Sequence, residues 1–346
     1  LRIQEFLVWD MTKIAVVGAG INGLTCAVKI KEKYTNVQVV LISSEFTPNT
    51  TGDGSGGLWY PYFCGNTPYS LIEKWGGETY KFLHQLWRTG GHSVCLMPIY
   101  NLYRDREEFQ KPGWVSTVYG YQELGSKQLD YFSKLYSARY TAGQTFVTFV
   151  ASPPKLLAYL QQRFLKANGQ LLQARLTSLQ DPLLESYDVV VNCTGIEARF
   201  VVPDEKVVPI RGQIVKVKAP WINETIIDES SGNYIIPNAD TCVLGGTHQQ
   251  DFNRQPDPVD TDFIMNGCKQ MIPSLQHAEV LNHWVGLRPG RDEIRLEPEN
   301  KNGKLYIHNY GHGGSGLTLF WGCGEEVLQI LETHINKQKS NINSKL

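Results

Sequence analysis

Apolar and polar positions along the 346-residue chain fall into blocks of two periods. Ile14–Val17 is a short continuous apolar run, and "NVQVVLI" (36–42) is a second. Runs of this length between turn residues mark strands buried on both faces. The stretch "INGLTCAVKI" between them carries apolar residues at helical spacing, so 14–42 predicts strand, helix, strand. "SPPKLLAYLQQRFLKANG" (152–169) repeats the helical spacing, with Gly169 as its stop. "GQLLQARLTSL" (169–179) and "YDVVVNCTG" (187–195) read as strands, the latter buried and parallel. "RGQIVKVKAPW" (211–221) alternates as a half-exposed strand does, and 222–250 reads as strands around a polar loop. Residues 304–335 give strand, glycine loop and helix.

This order predicts an α/β protein with two domains. Segments 11–63, 146–199 and 303–336 are expected to form a Rossmann-like nucleotide-binding domain. Segments 64–145 and 200–302 are expected to form a mixed α+β substrate domain with a large β-sheet. Residues 337–346 read as a flexible tail, and residues 1–10, ahead of Met11, as an extension outside the fold.

Composition narrows the function. Apolar residues make up 42% of the chain and charged residues 19%, enough for a packed core. A formal net charge of −1 without a basic run argues against nucleic acid as partner. No stretch is apolar for the length of a bilayer, so no membrane partner is expected. The seven cysteines are scattered, with no CxxC pair; they read as reduced thiols, and no metal site is expected.

Gly18, Gly20 and Gly23 form GxGxxG between the first strand and its helix, with Ile21 and Asn22 inside the motif. The glycines allow a tight turn, approach of a pyrophosphate and close helix–strand packing, and the helix N-terminus offers free N–H groups to phosphate. An acidic residue for ribose is not cleanly placed; Glu45 comes late, or Ser43 and Ser44 serve instead. Thr194 and Gly195 end a buried strand, where open α/β sheets bind ligands. The motif alone does not separate NAD from FAD. Further on, "VGLRPGRDEIRLE" (285–297) carries Arg288, Arg291 and Arg295 among apolar and glycine positions. A guanidinium is costly to bury without an anion, so one of the three is expected to await one.

"VVGAGINGL", "TTGDGSGGLWYPY", "VVNCTG", "RGQIVKVKAPW", "YIIP", "LGGTHQ", "GLRPGRDEIRLE" and "HNYGHGGSGLTLFWG" occur here in the order found in the D-amino-acid oxidase / D-aspartate oxidase family, which the chain resembles from Thr12 to about Glu332. The resemblance implies FAD rather than NAD. It also implies oxidation of D-amino acids by hydride transfer from Cα to the flavin, with oxygen as electron acceptor and peroxide, ammonia and a 2-oxo acid as products. By position, Arg288 and Tyr234 would hold the substrate carboxylate, and the Gly314 carbonyl would take the ammonium. Leu58, Tyr60, Tyr62 and Ser315 would wall the substrate pocket. Thr50, Thr51, Gly57 and Leu58 would line the isoalloxazine, with Arg288 and Gly314 also beside the cofactor. Arg175 and Leu176 would lie near the adenine. Gly316, Leu317 and Thr318 would aim the last helix at the pyrimidine end of the ring. Arg291, Arg295 and His312 are read as structural.

Acidic D-amino acids would need a second cation in the pocket. The positions that would supply it are Ile227 and His248, so neutral side chains are favoured. D-aspartate oxidation and a glycine- or sarcosine-type amine oxidase stay open as alternatives. Ser344-Lys345-Leu346 matches the peroxisomal address read by the import receptor, so the peroxisome matrix is the expected location. A homodimer is the family-level expectation.

Overall fold

A computed structural model describes residues 12–343, apart from the side chains of 338–343. The proposed extension before Met11 and the Ser344-Lys345-Leu346 signal lie outside the described residues. The first sheet comprises Lys13–Val17 (β1), Gln38–Ser43 (β2), Gln170–Gln173 (β6), Val189–Asn192 (β7), Arg295–Lys301 (β13) and Lys304–Tyr310 (β14). Their spatial order is β13-β14-β7-β1-β2-β6, parallel throughout except for β13 on β14. The central strand is buried on both faces. Ile14 and Val16 pack toward Ile21–Lys33 (α1) and Tyr69–Thr89 (α2), while Ala15 and Val17 join Val190, Val201 and Tyr306 on the other side. That is why the run reads as continuously apolar.

The second sheet comprises Val94–Tyr103 (β3), Tyr119–Glu123 (β4), Ala142–Ala151 (β5), Val208–Lys218 (β8), Thr225–Asp228 (β9), Asn233–Pro237 (β10), Cys242–Gly245 (β11) and Glu279–Gly290 (β12). The order is β12-β8-β11-β10-β9-β3-β5-β4, antiparallel except for β3 beside β9. One face packs through Val215, Val217, Ile235 and Leu244 on Ser126–Leu135 (α3) and Pro258–Met271 (α6). The other, with Met97, Ile214, Ile236 and Val243, turns toward the carboxyl ends of the first sheet. The remaining helices are Pro153–Lys166 (α4), the single turn Ala198–Val201 (α5) and the long Gly316–Asn343 (α7).

Strand pairing departs from the expected segmentation in several places. Residues 146–151 belong to β5, which pairs with β3 along its whole length in the second sheet, not the first. β13, expected in the substrate domain, pairs in the first sheet. An Asn302-Gly303 turn with both φ positive, 53° and 79°, folds it back onto β14 as a tight hairpin. The strand expected over 169–179 stops at Gln173 because its partner β2 ends at Ser43. β8 is mostly buried rather than half-exposed, since both faces of its sheet are covered. The tail expected to be flexible continues α7 through Asn343; no Gly or Pro after Gly324 interrupts the helix.

Candidate active site

β1 ends at Val17, Gly18 turns the chain, and α1 starts at Ile21. Gly18 has φ +99°, and a Cβ there would strike the Cys193 carbonyl. A Cβ on Gly23 would strike the Gly18 carbonyl, so Gly23 serves helix–strand packing and does not line the cavity. Gly20 differs: a Cβ there would meet nothing within 4 Å, because Gly20 borders a cavity of about 590 Å³. Strand order reverses at β1, with β2 and β6 on one side and β7 and β14 on the other, which is where open sheets hold ligands. Gly18, Ile21 and Asn22, then Ser43, Ser44 and Glu45 from the end of β2, form one stretch of the wall. Thr194 and Gly195 after β7 and Gly316 and Leu317 at the start of α7 form another. Thr50, Thr51, Gly57 and Leu58 line the middle. The N-termini of α1 and α7 both meet this cavity, presenting free N–H groups and positive dipole ends.

The far end is built by strand alternation on the second sheet. On β12, Trp284, Gly286 and Arg288 face the cavity together. On β10, Tyr234 lies directly opposite Ile227 of β9, and both line it. The Arg288 guanidinium donates through Nη1 to the Thr247 carbonyl at 2.9 Å and lies 6.0 Å from the Tyr62 ring. It lies across Gly212 of β8, where a Cβ would collide with it. Among the described residues no carboxylate pairs with Arg288. Its two neighbours are already partnered: Arg291 holds Asp204 at 3.0 Å, and Arg295 holds Glu297 at 2.7 Å and Glu299 at 3.1 Å. Burial pushes the Tyr234 and Tyr62 phenols up, and Arg288 beside them opposes the shift in each. Tyr60 and Gly314 also line this end, and His248 stands exposed at its rim, 5.7 Å from the Phe63 ring.

Four expected residues lie off the wall besides Gly23. Ser315, just ahead of α7, and Thr318, in its first turn, are buried and bind backbone instead. Ser315 Oγ accepts from Tyr62 N at 2.6 Å and donates to Tyr62 O at 2.8 Å; Thr318 Oγ1 does the same for Tyr60 at 3.1 and 2.9 Å. They fix the tyrosine wall rather than form it. Arg175 is exposed and Leu176 packs beneath the first sheet, because the chain has left that sheet after Gln173. Sequence reasoning missed Glu229, Trp284 and Arg254. Alternation from Ile227 to Glu229, and from Arg288 back to Trp284, was the available signal for two of them.

Residues 13–330 match the model of the FAD dependent oxidoreductase (DAO) family. The chain belongs to this family. It is 36% identical to a D-amino acid oxidase of Dugesia ryukyuensis, over 94% of this chain and 99% of that one. Identity is 37% to a D-amino-acid oxidase of Rubrobacter xylanophilus, over 92% and 96%. It is 33% to a D-aspartate oxidase of Homo sapiens, over 96% and 98%. A glycine oxidase structure from Geobacillus kaustophilus shares the fold, with TM-score 0.77 at 17% identity over 93% of this chain and 95% of that one. The chain is thus an FAD-dependent oxidoreductase of the DAO family.

The cavity's own chemistry fits FAD. Asn22 Oδ1, Trp284 Nε1 and His312 Nε2 are buried, belong to cavity-lining residues and have no protein partner. Burial lowers the His312 pKa to about 4, so its imidazole is neutral near pH 7. Asn22 Nδ2 lies 3.2 Å from His312 Nδ1; donation there leaves Nε2 carrying the proton. Two orphaned N–H donors and one orphaned amide oxygen, on a cavity met by two helix N-termini and an open glycine, suit a ligand rich in phosphate and in ring donors and acceptors. Gly18, Gly20 and the α1 N-terminus would hold pyrophosphate. Thr50, Thr51, Gly57, Leu58 and the α7 N-terminus would hold the ring.

Proposed function

We propose that the protein oxidises D-amino acids with neutral side chains to 2-oxo acids, ammonia and hydrogen peroxide. The observation that carries this reading is Arg288: a cavity-facing guanidinium with one backbone acceptor and no protein carboxylate among the described residues. Its planar fork matches the two oxygens of a substrate carboxylate, fixing orientation as well as charge. Tyr234, beside it, adds a hydroxyl to the same carboxylate. The Gly314 carbonyl receives the ammonium, which sets the amino acid's handedness at the reacting carbon. FAD, held by the residues named above, would supply the two-electron acceptor for the Cα–H bond and the route onward to oxygen. The chain's part is to hold the reactants in register and exclude water, so positioning supplies most of the rate gain.

The charge inventory supports neutral side chains. Besides Arg288, the cavity's basic side chains are Arg254, His312 and His248. Arg254 lies 3.6 Å from Glu197, beside Gly195 at the nucleotide end. His312 is neutral, and His248 is exposed at the rim. Ile227, opposite Tyr234, is buried and apolar. A second carboxylate would enter without a fixed cation to meet it.

The test is a visible spectrum of the FAD-loaded protein under argon. D-alanine should bleach the flavin absorption, L-alanine and sarcosine should not, and admitting oxygen should restore the colour and release peroxide. Persistence of colour with every D-amino acid would end this reading. Turnover of D-aspartate at least tenfold above D-alanine would move it to the acidic branch.

A further inference from the structure

Glu229 is a pocket carboxylate to which the reaction gives no task. It follows Asp228 at the end of β9, and its N–H still donates to the Leu102 carbonyl at 3.0 Å, so strand alternation persists. Asp228 points away from the cavity and is partnered, with Arg104 at 2.6 Å and the Tyr140 hydroxyl at 3.0 Å. Glu229 lines the cavity on the same face as Ile227, and no cation pairs with it among the described residues. Two donors fix it: the Tyr60 hydroxyl at 2.8 Å and buried Asn101 Nδ2 at 2.6 Å. Both end on Oε1, which leaves Oε2 without a protein donor.

Glu229 stands two residues from Ile227 on the same face, Ile227 lies opposite Tyr234, and Tyr234 stands beside Arg288, so carboxylate and guanidinium line the same end of the cavity. We propose that Glu229 is a specificity-determining residue that selects D-amino acids whose long side chains end in a cation over neutral side chains of the same shape. This rests on the D-amino-acid reading and deepens it: short neutral side chains are accepted without reaching Glu229, and among long side chains the cationic are preferred. With the carboxylate on Arg288, a short side chain such as that of D-alanine falls short of Glu229. A long basic one brings its cation to Oε2, and an acidic one meets like charge there. Burial raises the Glu229 pKa, with the Tyr60 and Asn101 donors opposing, and a bound cation holds the carboxylate ionised.

D-Arginine and D-citrulline differ in charge but hardly in shape. The ratio of their kcat/KM values cancels any loss of folded or FAD-loaded enzyme. The wild type should favour D-arginine by about tenfold or more, and Glu229→Gln, which keeps an acceptor for Tyr60 and Asn101, should bring the ratio close to one. A wild-type ratio near one overturns the assignment. So does a ratio that survives the substitution, as it would if Glu229 held the α-ammonium and both substrates suffered alike. Should no D-amino acid bleach the flavin, the reaction itself is misread. Calorimetric affinities of the FAD-loaded protein for the same two compounds then decide Glu229 separately: a tenfold ratio upholds it and equal affinities refute it.

Discussion

Arg211 and Arg288 stand on paired strands one position out of step, with Arg211 opposite Leu287 and Arg288 opposite Ile210, so their side chains leave opposite faces of one sheet. Arg211 is buried, and its donors are all taken up by the protein. Nε binds the Asn253 carbonyl at 2.9 Å; Nη1 binds Asp260 at 2.6 Å and Gln249 at 3.0 Å; Nη2 binds the Gln255 carbonyl at 2.8 Å and Gln213 at 3.1 Å. Arg288 has the Thr247 carbonyl. The same residue type in the same pair of strands is thus a structural clamp on one face and an open anion site on the other. Arg211 is buried and Arg288 half-buried, but what gives them different roles is the completeness of their partnering.

The largest test of this contrast is Arg288→Ala. It should cost about 3–5 kcal/mol of transition-state binding, a loss in kcat/KM of some hundred- to several-thousand-fold. Thermal stability should hardly move. A fall of less than tenfold would remove Arg288 from the carboxylate site. Arg211→Met should do the reverse, with a stability loss of about 3–5 kcal/mol from stranding Asp260 and two carbonyls. A denaturant midpoint unchanged from wild type would show that the clamp is not one.

A smaller effect concerns the orphaned groups near the nucleotide end. Burial lowers the His312 pKa to about 4 from the ordinary 6.5. The unfolded chain therefore takes up the proton first. The contribution is intact above pH 6.5 and declines as pH falls toward 4, by about 2 kcal/mol at pH 5. Urea midpoints of wild type and His312→Gln, compared at pH 7 and pH 5, read this difference. A variant as acid-sensitive as the wild type would place the proton elsewhere.

Much of the fold was legible because its signals are local. The apolar run of β1, the glycine turn and the spacing of α1 sit within 20 residues and specify one another. The extents of β5 and β13 were misjudged because pairing is not local: the ten residues of β5 follow β3, far back in the chain. For β13, the Asn302-Gly303 dipeptide was a readable hairpin signal that went unused. In the site, glycines and motif residues located most of the wall. Ser315 and Thr318 were placed on that wall because a motif records position and not direction; their hydroxyls turn inward to the Tyr62 and Tyr60 backbone. Glu229 escaped notice because it stands outside every quoted motif, although period-two alternation from Ile227 leads to it.

The segmental make-up of the first sheet governs when the protein becomes able to hold its cofactor. β1 is made before its partners: Lys13 binds Asp188, 175 positions later, and the β13–β14 hairpin follows only after the entire second sheet has been synthesised. The glycine turn thus lacks its floor at Cys193 until the whole stretch from Gly18 to Cys193 has been synthesised. FAD capture becomes a late event, slowed by long-range closure, and fragments ending before β7 should leave the ribosome colourless.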